Sequence, residues 1–280
     1  MMKFLNPLFL ITFALLASEF SMAQSPVLSL SDTIKYGDNA AIGEYVEVNG
    51  IKMYYEIYGK GDPLLLIHGN GGSINNFKYQ IPYFAANYKV IAVDSRAQGK
   101  SADTSDSLSF EMMADDFSAL LDKLHLDSCY VLGWSDGGIN GLLLAIRHPE
   151  KVKKLAITGA NLWPDSTAIS GADYLWGKNF YDTLGKMPQT PELIYTRKLV
   201  KLDLFEPHIT REQLQQIKCP TLVIAGDHDI ILPRHTLFIA ESIPGAFLWI
   251  LPNSSHGTLI DHKDQFNQLV DEFFKTGLKK

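Results

Sequence analysis

The chain alternates between short apolar runs and longer stretches whose apolar residues recur at helical spacing. Each run has the length of one strand and is mostly apolar, as expected of strands covered on both faces. These runs occupy residues 63–69, 89–94, 129–134, 152–160, 220–227 and 246–252. Stretches with helical spacing occupy residues 75–88, 109–126, 138–148, 233–243 and 264–276. Strands that alternate with helices predict a mostly parallel sheet with helices on both faces.

Two further β-rich runs lie at residues 44–59, and Asn49-Gly50 separates them. This dipeptide is a strong hairpin signal, so we expect antiparallel strands at one edge of the sheet. The whole pattern predicts an α/β fold with an eight-stranded, mostly parallel sheet. Its core would comprise residues 44–160 and 219–280.

Residues 161–218 interrupt the alternation of strands and helices. They hold four prolines and a high density of aromatic side chains, and they are too numerous for a simple loop. We predict a small helical cap, inserted between two strands of the sheet at the edge where ligands bind.

The N-terminus follows a different pattern. Lys3 precedes an apolar run at about residues 8–17, and Ser21-Met22-Ala23 forms a small-x-small cleavage pattern. We therefore expect a signal peptide at residues 1–23, followed by a flexible leader at residues 24–43. The apolar run is short for a membrane span, so we expect no stable anchor after cleavage. Export predicts a periplasmic or secreted protein.

Composition narrows the classes of partner. The chain has 280 residues, 46% of them hydrophobic, and a formal net charge of −6. The mild acidity and the lack of a basic cluster argue against nucleic acid as a partner. Cys129 and Cys219 each precede a predicted strand, with one strand expected between them. That separation exceeds the reach of a disulfide, so we expect two buried free thiols.

One candidate nucleophile stands between a predicted strand and a predicted helix, in Gly133-Trp134-Ser135-Asp136-Gly137. Glycines two residues either side of a serine allow a sharp strand-to-helix turn that lifts the hydroxyl clear of the sheet. The alternative is a serine that only shapes the turn. Placement at the carboxyl end of a strand, where ligands of such sheets bind, favours the nucleophile.

A serine hydroxyl requires a base, and the base requires an acid that fixes its tautomer. His256 follows the last predicted strand and therefore lies at the same sheet edge as Ser135, whereas His262 falls where the last helix begins. Asp227 and Asp229 both follow the preceding strand. Asp229 lies further into its loop and can turn toward His256, and an acid near residue 165 is the lesser alternative.

An oxyanion requires two backbone N–H donors. We expect one from Asp136, directly after the nucleophile, and the other from Asn70 in the glycine-rich stretch 68–72. A phosphate-binding loop is the alternative for this stretch, but the Lys-Ser/Thr pair of a P-loop is absent. The predicted chemistry uses side chains and water, without a metal or an organic cofactor.

Together, "LLLIHGNGG", "VIAVDSRAQGKS", "LGWSDGGINGLLLA", "LVIAGDHDIILP" and "SSHGTLID" resemble the α/β-hydrolase-fold serine hydrolases over residues 44–275. Ala97 replaces a glycine frequent in that family, in what we expect to be a surface turn. "GWSDGG" and "GANLWPD" resemble the valacyclovir-hydrolase (biphenyl-hydrolase-like) branch, which hydrolyses small esters, including amino acid esters. The resemblance implies substrate contacts at Trp134, Trp163 and Asp136, with Asp136 recognising an α-amino group. A charge that only complements the helix end is the alternative for Asp136.

These observations predict an exported serine hydrolase of a small carboxylic ester. Hydrolysis of an amide or peptide, or of a carbon–carbon bond, remains an alternative on the same three residues. A non-catalytic ligand-binding protein of the same fold is the alternative of another class. The sequence leaves the ester and the oligomeric state open.

Overall fold

A computed structural model describes residues 34–276. The predicted signal peptide and residues 24–33 of the predicted leader lie outside the described residues. Eight strands form one sheet in the order β1-β2-β4-β3-β5-β6-β7-β8. The strands are β1 (Gly43–Val48), β2 (Ile51–Tyr58), β3 (Asp62–Ile67), β4 (Tyr88–Val93), β5 (Cys129–Trp134), β6 (Val152–Thr158), β7 (Thr221–Gly226) and β8 (Phe247–Leu251).

The predicted α/β fold is confirmed. β1 and β2 form the antiparallel hairpin, β2 runs antiparallel to β4, and the remaining neighbours are parallel. Positive φ angles at Asn49 and Gly50 make the tight turn that joins the hairpin. The helices are α1 (Gln80–Phe84), α2 (Phe110–Lys123), α3 (Asp136–Arg147), α4 (Gly171–Lys186), α5 (Pro191–Phe205), α6 (Arg211–Leu214), α7 (Pro233–Ser242), α8 (Thr258–Asp261) and α9 (Lys263–Lys275).

The parallel strands are mostly apolar because the sheet has an apolar cluster on each face. Leu65 and Ile67 of β3 belong to one cluster, and Leu64 and Leu66 belong to the other. Phe117 of α2 packs into the first cluster and Phe266 of α9 into the second. Side chains alternate between the faces of a strand, so one apolar run serves both layers of helices.

The inserted segment forms α4, α5 and α6 between β6 and β7. Only α4 and α5 form a pair of long helices, and they pack against each other. The short α6 packs against α7, and Leu214 joins the apolar cluster of the core. We use "cap" below for α4 and α5.

The helix predicted at residues 75–88 is wrong in its extent. The structure has a 3-10 turn at Ile74–Phe77 and then the five-residue α1. Pro82 is the third residue of α1, where a missing N–H is tolerated, but it cannot sit inside a longer helix. The segment therefore starts a new short helix ahead of the proline.

Part of the predicted leader is attached to the sheet. Glu56 is fully buried on β2 and accepts hydrogen bonds from the backbone N–H groups of Gly37 and Asn39, at 2.8 and 2.9 Å. It also accepts the hydroxyls of Tyr54 and Tyr58. These bonds give a buried carboxylate the partners that it requires. A flexible leader stays a prediction for residues 24–33.

Two finer predictions need correction. Cys129 is a buried free thiol, but Cys219 is only half-buried because it precedes β7 instead of lying within it. Ala97 is not in a surface turn: it is buried, with φ of 59°. A left-handed φ favours glycine, which explains why the family often has glycine there. Within residues 34–276, no helix is both long and apolar enough to span a membrane.

Candidate active site

Ser135 lies at the turn between β5 and α3, in a strained backbone conformation with φ of 57° and ψ of −121°. Its N–H donates to the Thr158 carbonyl of β6 at 2.8 Å, and its carbonyl accepts the N–H groups of Gly138 and Ile139, which begin α3. A non-glycine residue persists in such a conformation only when its surroundings determine it. Here a strand and a helix hold it from both sides.

The glycines around Ser135 are required by close backbone contacts. A Cβ added to Gly137 would lie 1.8 Å from the Ile67 carbonyl oxygen of β3, and one added to Gly133 would lie 2.1 Å from the Gly137 oxygen. Real Cβ atoms do not approach so closely. Helix α3 can therefore begin directly above the sheet only with glycine at these two positions.

The structure brings together the three side chains predicted as nucleophile, base and acid. His256 Nε2 lies 2.9 Å from Ser135 Oγ, and His256 Nδ1 lies 2.6 Å from Asp229 Oδ1. The Asp229 side chain is fully buried, and the imidazole is about one-fifth exposed. The three groups form one continuous hydrogen-bonded relay from the buried carboxylate to the serine hydroxyl.

Neighbouring groups hold the two loops that carry the base and the acid. Asp229 Oδ1 also accepts the Ile231 N–H at 2.9 Å, which turns the carboxylate toward His256. Asp227 accepts the Ser254 N–H at 3.0 Å, so this carboxylate links the β7 and β8 loops. The indole of Trp134 donates to the His256 carbonyl at 2.9 Å. These three contacts hold the two loops, and the imidazole itself is held by Asp229 and Ser135.

The stretch after β3 passes directly beside the nucleophile. A Cβ added to Gly69 would lie 3.0 Å from Ser135 Cβ. The next residue, Asn70, lies in a tight turn that the Gly72 N–H closes onto the Gly69 carbonyl at 3.1 Å. Asn70 therefore follows directly on the residue that contacts Ser135, and its side chain reaches Asp136, the first residue of α3. Their role as oxyanion donors stays a prediction.

A cavity of about 310 Å³ lies between Ser135 and the cap. Its walls are mostly apolar and aromatic, contributed by Ile139, Ile169, Tyr174, Trp176, Phe180, Val200, Leu204, Ile230 and Ile231. Four acidic side chains also line it, Asp136, Asp173, Asp203 and Glu206, and no lysine, arginine or histidine of the described residues does so. The cavity is therefore suited to a small, partly apolar molecule and has an acidic character.

Asp136 and Asp203 form a pair of carboxyl groups beside Ser135, and sequence reasoning missed Asp203. Asn70 Nδ2 donates to both, at 2.9 Å each. Burial raises the pKa of Asp136 to about 6. Desolvation also raises the pKa of Asp203 far above its usual range, and the adjacent Asp136 carboxylate raises it further. This pair therefore retains one proton to a higher pH than two separate carboxylates would.

Trp134 and Trp163, assigned to substrate binding from the resemblance, do not line the cavity. Trp134 supports the His256 loop, and the Trp163 indole donates to Thr167 while its ring packs against His235, 4.6 Å between centroids. Of the three residues in that assignment, only Asp136 faces the cavity.

Four other histidines within the described residues contact backbone or surface groups. His262 Nε2 contacts the Asn253 carbonyl, and His148 Nε2 contacts Asp115. His68 and His235 are buried, and their Nε2 atoms accept backbone N–H groups. Burial lowers the pKa of each of these two to about 4. Among the histidines of residues 34–276, only His256 forms a hydrogen bond with Ser135.

Comparison with known proteins agrees with this architecture. The family model of the alpha/beta hydrolase fold matches residues 62–195. A pimeloyl-[acyl-carrier protein] methyl ester esterase of Legionella pneumophila is 30% identical over 247 residues, which cover 80% of this chain and all of that protein. The mouse serine hydrolase BPHL is 28% identical over 262 residues, 82% of this chain and 85% of its own.

The same architecture is found among solved structures. A hydrolase from Pseudomonas aeruginosa superimposes with a TM-score of 0.72 at 22% identity, covering 85% of this chain and 100% of its own. The chain belongs to the α/β hydrolase fold family. Its relatives include esterases and serine hydrolases.

Proposed function

We propose that this protein is a serine hydrolase that cleaves a small carboxylic ester through an acyl-enzyme on Ser135. The observation that carries the proposal is the continuous relay from Asp229 through His256 to Ser135 at the floor of the cavity. A serine that only shaped a turn would need neither a base within hydrogen-bond distance nor a buried acid behind that base.

In the first half of the proposed reaction, His256 Nε2 accepts the Ser135 proton while Ser135 Oγ attacks the acyl carbon. Asp229 stabilises the imidazolium that forms and keeps the other ring proton on Nδ1. The carbonyl oxygen becomes an oxyanion, which receives hydrogen bonds from the backbone N–H groups of Asn70 and Asp136. His256 then gives its proton to the departing alcohol, leaving the acyl group on Ser135.

In the second half, a water molecule replaces the alcohol. His256 accepts a proton from this water, whose oxygen attacks the acyl carbon of the acyl-enzyme. The same two backbone groups stabilise the second oxyanion, and collapse of this intermediate releases the acid and restores the Ser135 hydroxyl. Every proton is transferred at His256 Nε2, so the contacts that fix the imidazole matter in both halves.

The cavity supports a small substrate with an apolar part and a cationic group. Its aromatic walls suit the apolar part, and its four carboxyl groups favour a positive charge. Asp136 is both next to the nucleophile and open to the cavity, so an α-amino group beside the scissile carbonyl would lie within its reach. We therefore favour aminoacyl esters among small esters.

The hydrolase is tested with a fluorescent fluorophosphonate and p-nitrophenyl esters on the chain from Gln24 onward. We expect labelling and turnover by the wild type, and loss of both in Ser135→Ala and His256→Ala with thermal unfolding unchanged. Ser254→Ala serves as a matched control, since it replaces a buried serine of the His256 loop outside the relay. Near-wild-type turnover in Ser135→Ala would overturn the assignment.

The amino-group preference is tested separately from the hydrolase itself. Wild-type kcat/KM for an alanine p-nitrophenyl ester is compared with that for the propionate ester, which lacks only the amino group. We expect a preference for the alanine ester that disappears in Asp136→Ala. An equal loss of kcat/KM on both esters would mean that Asp136 supports the backbone beside the nucleophile and does not recognise the amino group.

Export is proposed from residues 1–23 of the sequence. We expect the mature protein, recovered from the expressing bacterium's periplasm or medium, to begin at Gln24 in N-terminal sequencing. An intact Met1 on a cytoplasmic product would contradict export without affecting the proposed chemistry.

A further inference from the structure

The Asn70 side chain connects the loop beside the nucleophile to the cap. Its Nδ2 group lies 2.9 Å from Asp136 Oδ2, 2.9 Å from Asp203 Oδ1 and 3.3 Å from the Leu199 carbonyl oxygen. Asp203 and Leu199 belong to α5, which is part of the cap, whereas Asp136 begins α3 in the core. A single amide therefore joins three separate parts of the molecule.

The same two core residues are the proposed backbone donors to the oxyanion. Asn70 lies in the turn of residues 69–72, where glycines occupy three of four positions and leave the backbone few side-chain contacts. Oxyanion donors are effective only when they are held in place before the reaction. The bond between the Asn70 amide and Asp136 fixes one donor relative to the other, and Asp203 completes that contact from the cap.

The geometry points to Asp203 as a positioning residue: from the cap, it holds Asn70 and Asp136 so that their backbone N–H groups form the oxyanion hole. This inference rests on the proposed function. The oxyanion hole is then complete only when α5 is docked on the core. A substrate enclosed by the cap therefore binds next to donors that are already in place. Asp203 itself does not contact the reacting atoms in this role.

The contact requires one proton between the two carboxyl groups. Two ionised carboxylates at hydrogen-bond distance repel each other, whereas a carboxyl–carboxylate pair attracts. Other charged groups face this pair: His256 from the loop after β8, Asp173 from α4 and Glu206 at the end of α5. The two acidic neighbours favour retention of the proton. Loss of this proton as the pH rises would set two negative charges against each other and weaken the contact between Asp203 of α5 and Asp136 of α3.

The test uses Asp203→Ala and Asp203→Asn with a neutral ester, p-nitrophenyl butyrate, so that recognition of an amino group plays no part. Asparagine retains an acceptor for Asn70 and offers Asp136 an uncharged donor, as the protonated carboxyl does. Lys201→Ala is the matched control, because Lys201 is exposed on the same helix and makes no contact with Asn70.

We expect Asp203→Ala to lower kcat about ten-fold, less than the 10²–10³-fold loss for removal of a donor, while KM changes less than two-fold. Affinity for butylboronic acid, whose tetrahedral adduct places an oxygen in the oxyanion hole, should fall by about the same factor as kcat. Asp203→Asn should restore most of kcat, and it should lack the decline in kcat with rising pH that we expect of the wild type. Lys201→Ala should match the wild type.

The outcomes separate this inference from the proposed function. If Asp203→Ala has the same kcat and the same boronate affinity as the wild type, this inference is overturned and the proposed function stands. A change confined to KM would also overturn it, since Asp203 would then bind substrate without positioning the donors. A wild type that neither turns over esters nor reacts with the fluorophosphonate would overturn the proposed function, and this inference with it.

Discussion

At the scale of single residues, backbone contacts around Ser135 determine which side chains the turn accepts. Gly137 lies over the Ile67 carbonyl of β3, and no shift of a flexible side chain could make room for a Cβ. We expect Gly137→Ala to destabilise the fold by about 3 kcal/mol or more, in the range of overpacked cores. Urea unfolding followed by circular dichroism measures the change.

Gly171 provides the matched control for this substitution. It is the first residue of α4, its φ is not in the left-handed region, and an added Cβ would meet no atom within 4 Å. Gly171→Ala should therefore be neutral or stabilise by about 0.4–1 kcal/mol, because it restricts the unfolded chain. Equal effects at the two positions would contradict the role of the Ile67 contact.

The buried acid of the relay permits a second test at this scale. Asp229→Asn preserves shape, but its amide cannot stabilise an imidazolium and favours the wrong tautomer of His256. We expect kcat for p-nitrophenyl esters to fall by about 10⁴-fold, the effect known for this substitution in a comparable triad. Asp227→Asn, two residues earlier, is the control and should retain activity.

Single residues also show where the sequence was sufficient and where it was not. Ser135 could be selected because glycine spacing and a strand-to-helix turn are local features. Asp229 could be preferred to Asp227 because reach along a loop depends on distance from the strand end. Asp203 carried no such signal, since its role depends on how α5 docks on the core, which local patterns do not encode.

At the scale of elements, α2 shows how the residue at a helix N-terminus, its N-cap, stabilises a helix that supports the sheet. Ser109 Oγ accepts the Met112 N–H at 3.2 Å, and Glu206 accepts the Phe110 N–H at 3.2 Å. We expect Ser109→Ala to lower the free energy of unfolding by about 1 kcal/mol. Ser107→Ala, which alters an exposed serine before the helix, should change it by less than about 0.5 kcal/mol.

Element boundaries were predicted unevenly for a physical reason. The apolar spacing of residues 109–126 predicts α2 to within a few residues. The apolar residues of 75–88 also recur at helical spacing and predict one helix, although Pro82 stops a helix from continuing through this segment. The cap could be recognised as an insertion, but its two helices could not be placed, because their apolar residues face a cavity as well as a core.

At the scale of the whole molecule, alternation of strands and helices was enough to predict the sheet. Parallel strands joined by helices have few permitted arrangements, and the Asn49-Gly50 turn identified the antiparallel edge.

Two buried histidines have a neutral state that the sequence pattern did not predict. His68 and His235 are held neutral, because each Nε2 accepts a backbone N–H, from Ser95 and Leu162 respectively, at 3.0 Å.

These two histidines make folding stability depend on pH. Burial lowers the pKa of each to about 4, whereas a histidine in the unfolded chain titrates near about 6.5. Between these values the unfolded chain binds more protons, so the free energy of unfolding falls as pH drops from about 6.5 to about 4. Asp136, whose pKa burial raises to about 6, acts in the opposite direction, so the total curve does not isolate either contribution.

His235→Gln isolates one contribution, because glutamine can accept the Leu162 N–H but does not titrate. The variant should be less stable than the wild type at pH 7, where the packing of the ring against Trp163 is lost. Between pH 7 and pH 4, however, its free energy of unfolding should fall by about 3 kcal/mol less than that of the wild type, the equivalent of a shift of about 2.5 pKa units. Urea titrations at several pH values measure this difference, with exposed His208→Gln as the control that parallels the wild type. Parallel curves for wild type and His235→Gln would contradict this account, because they would mean that folding does not lower the pKa of His235.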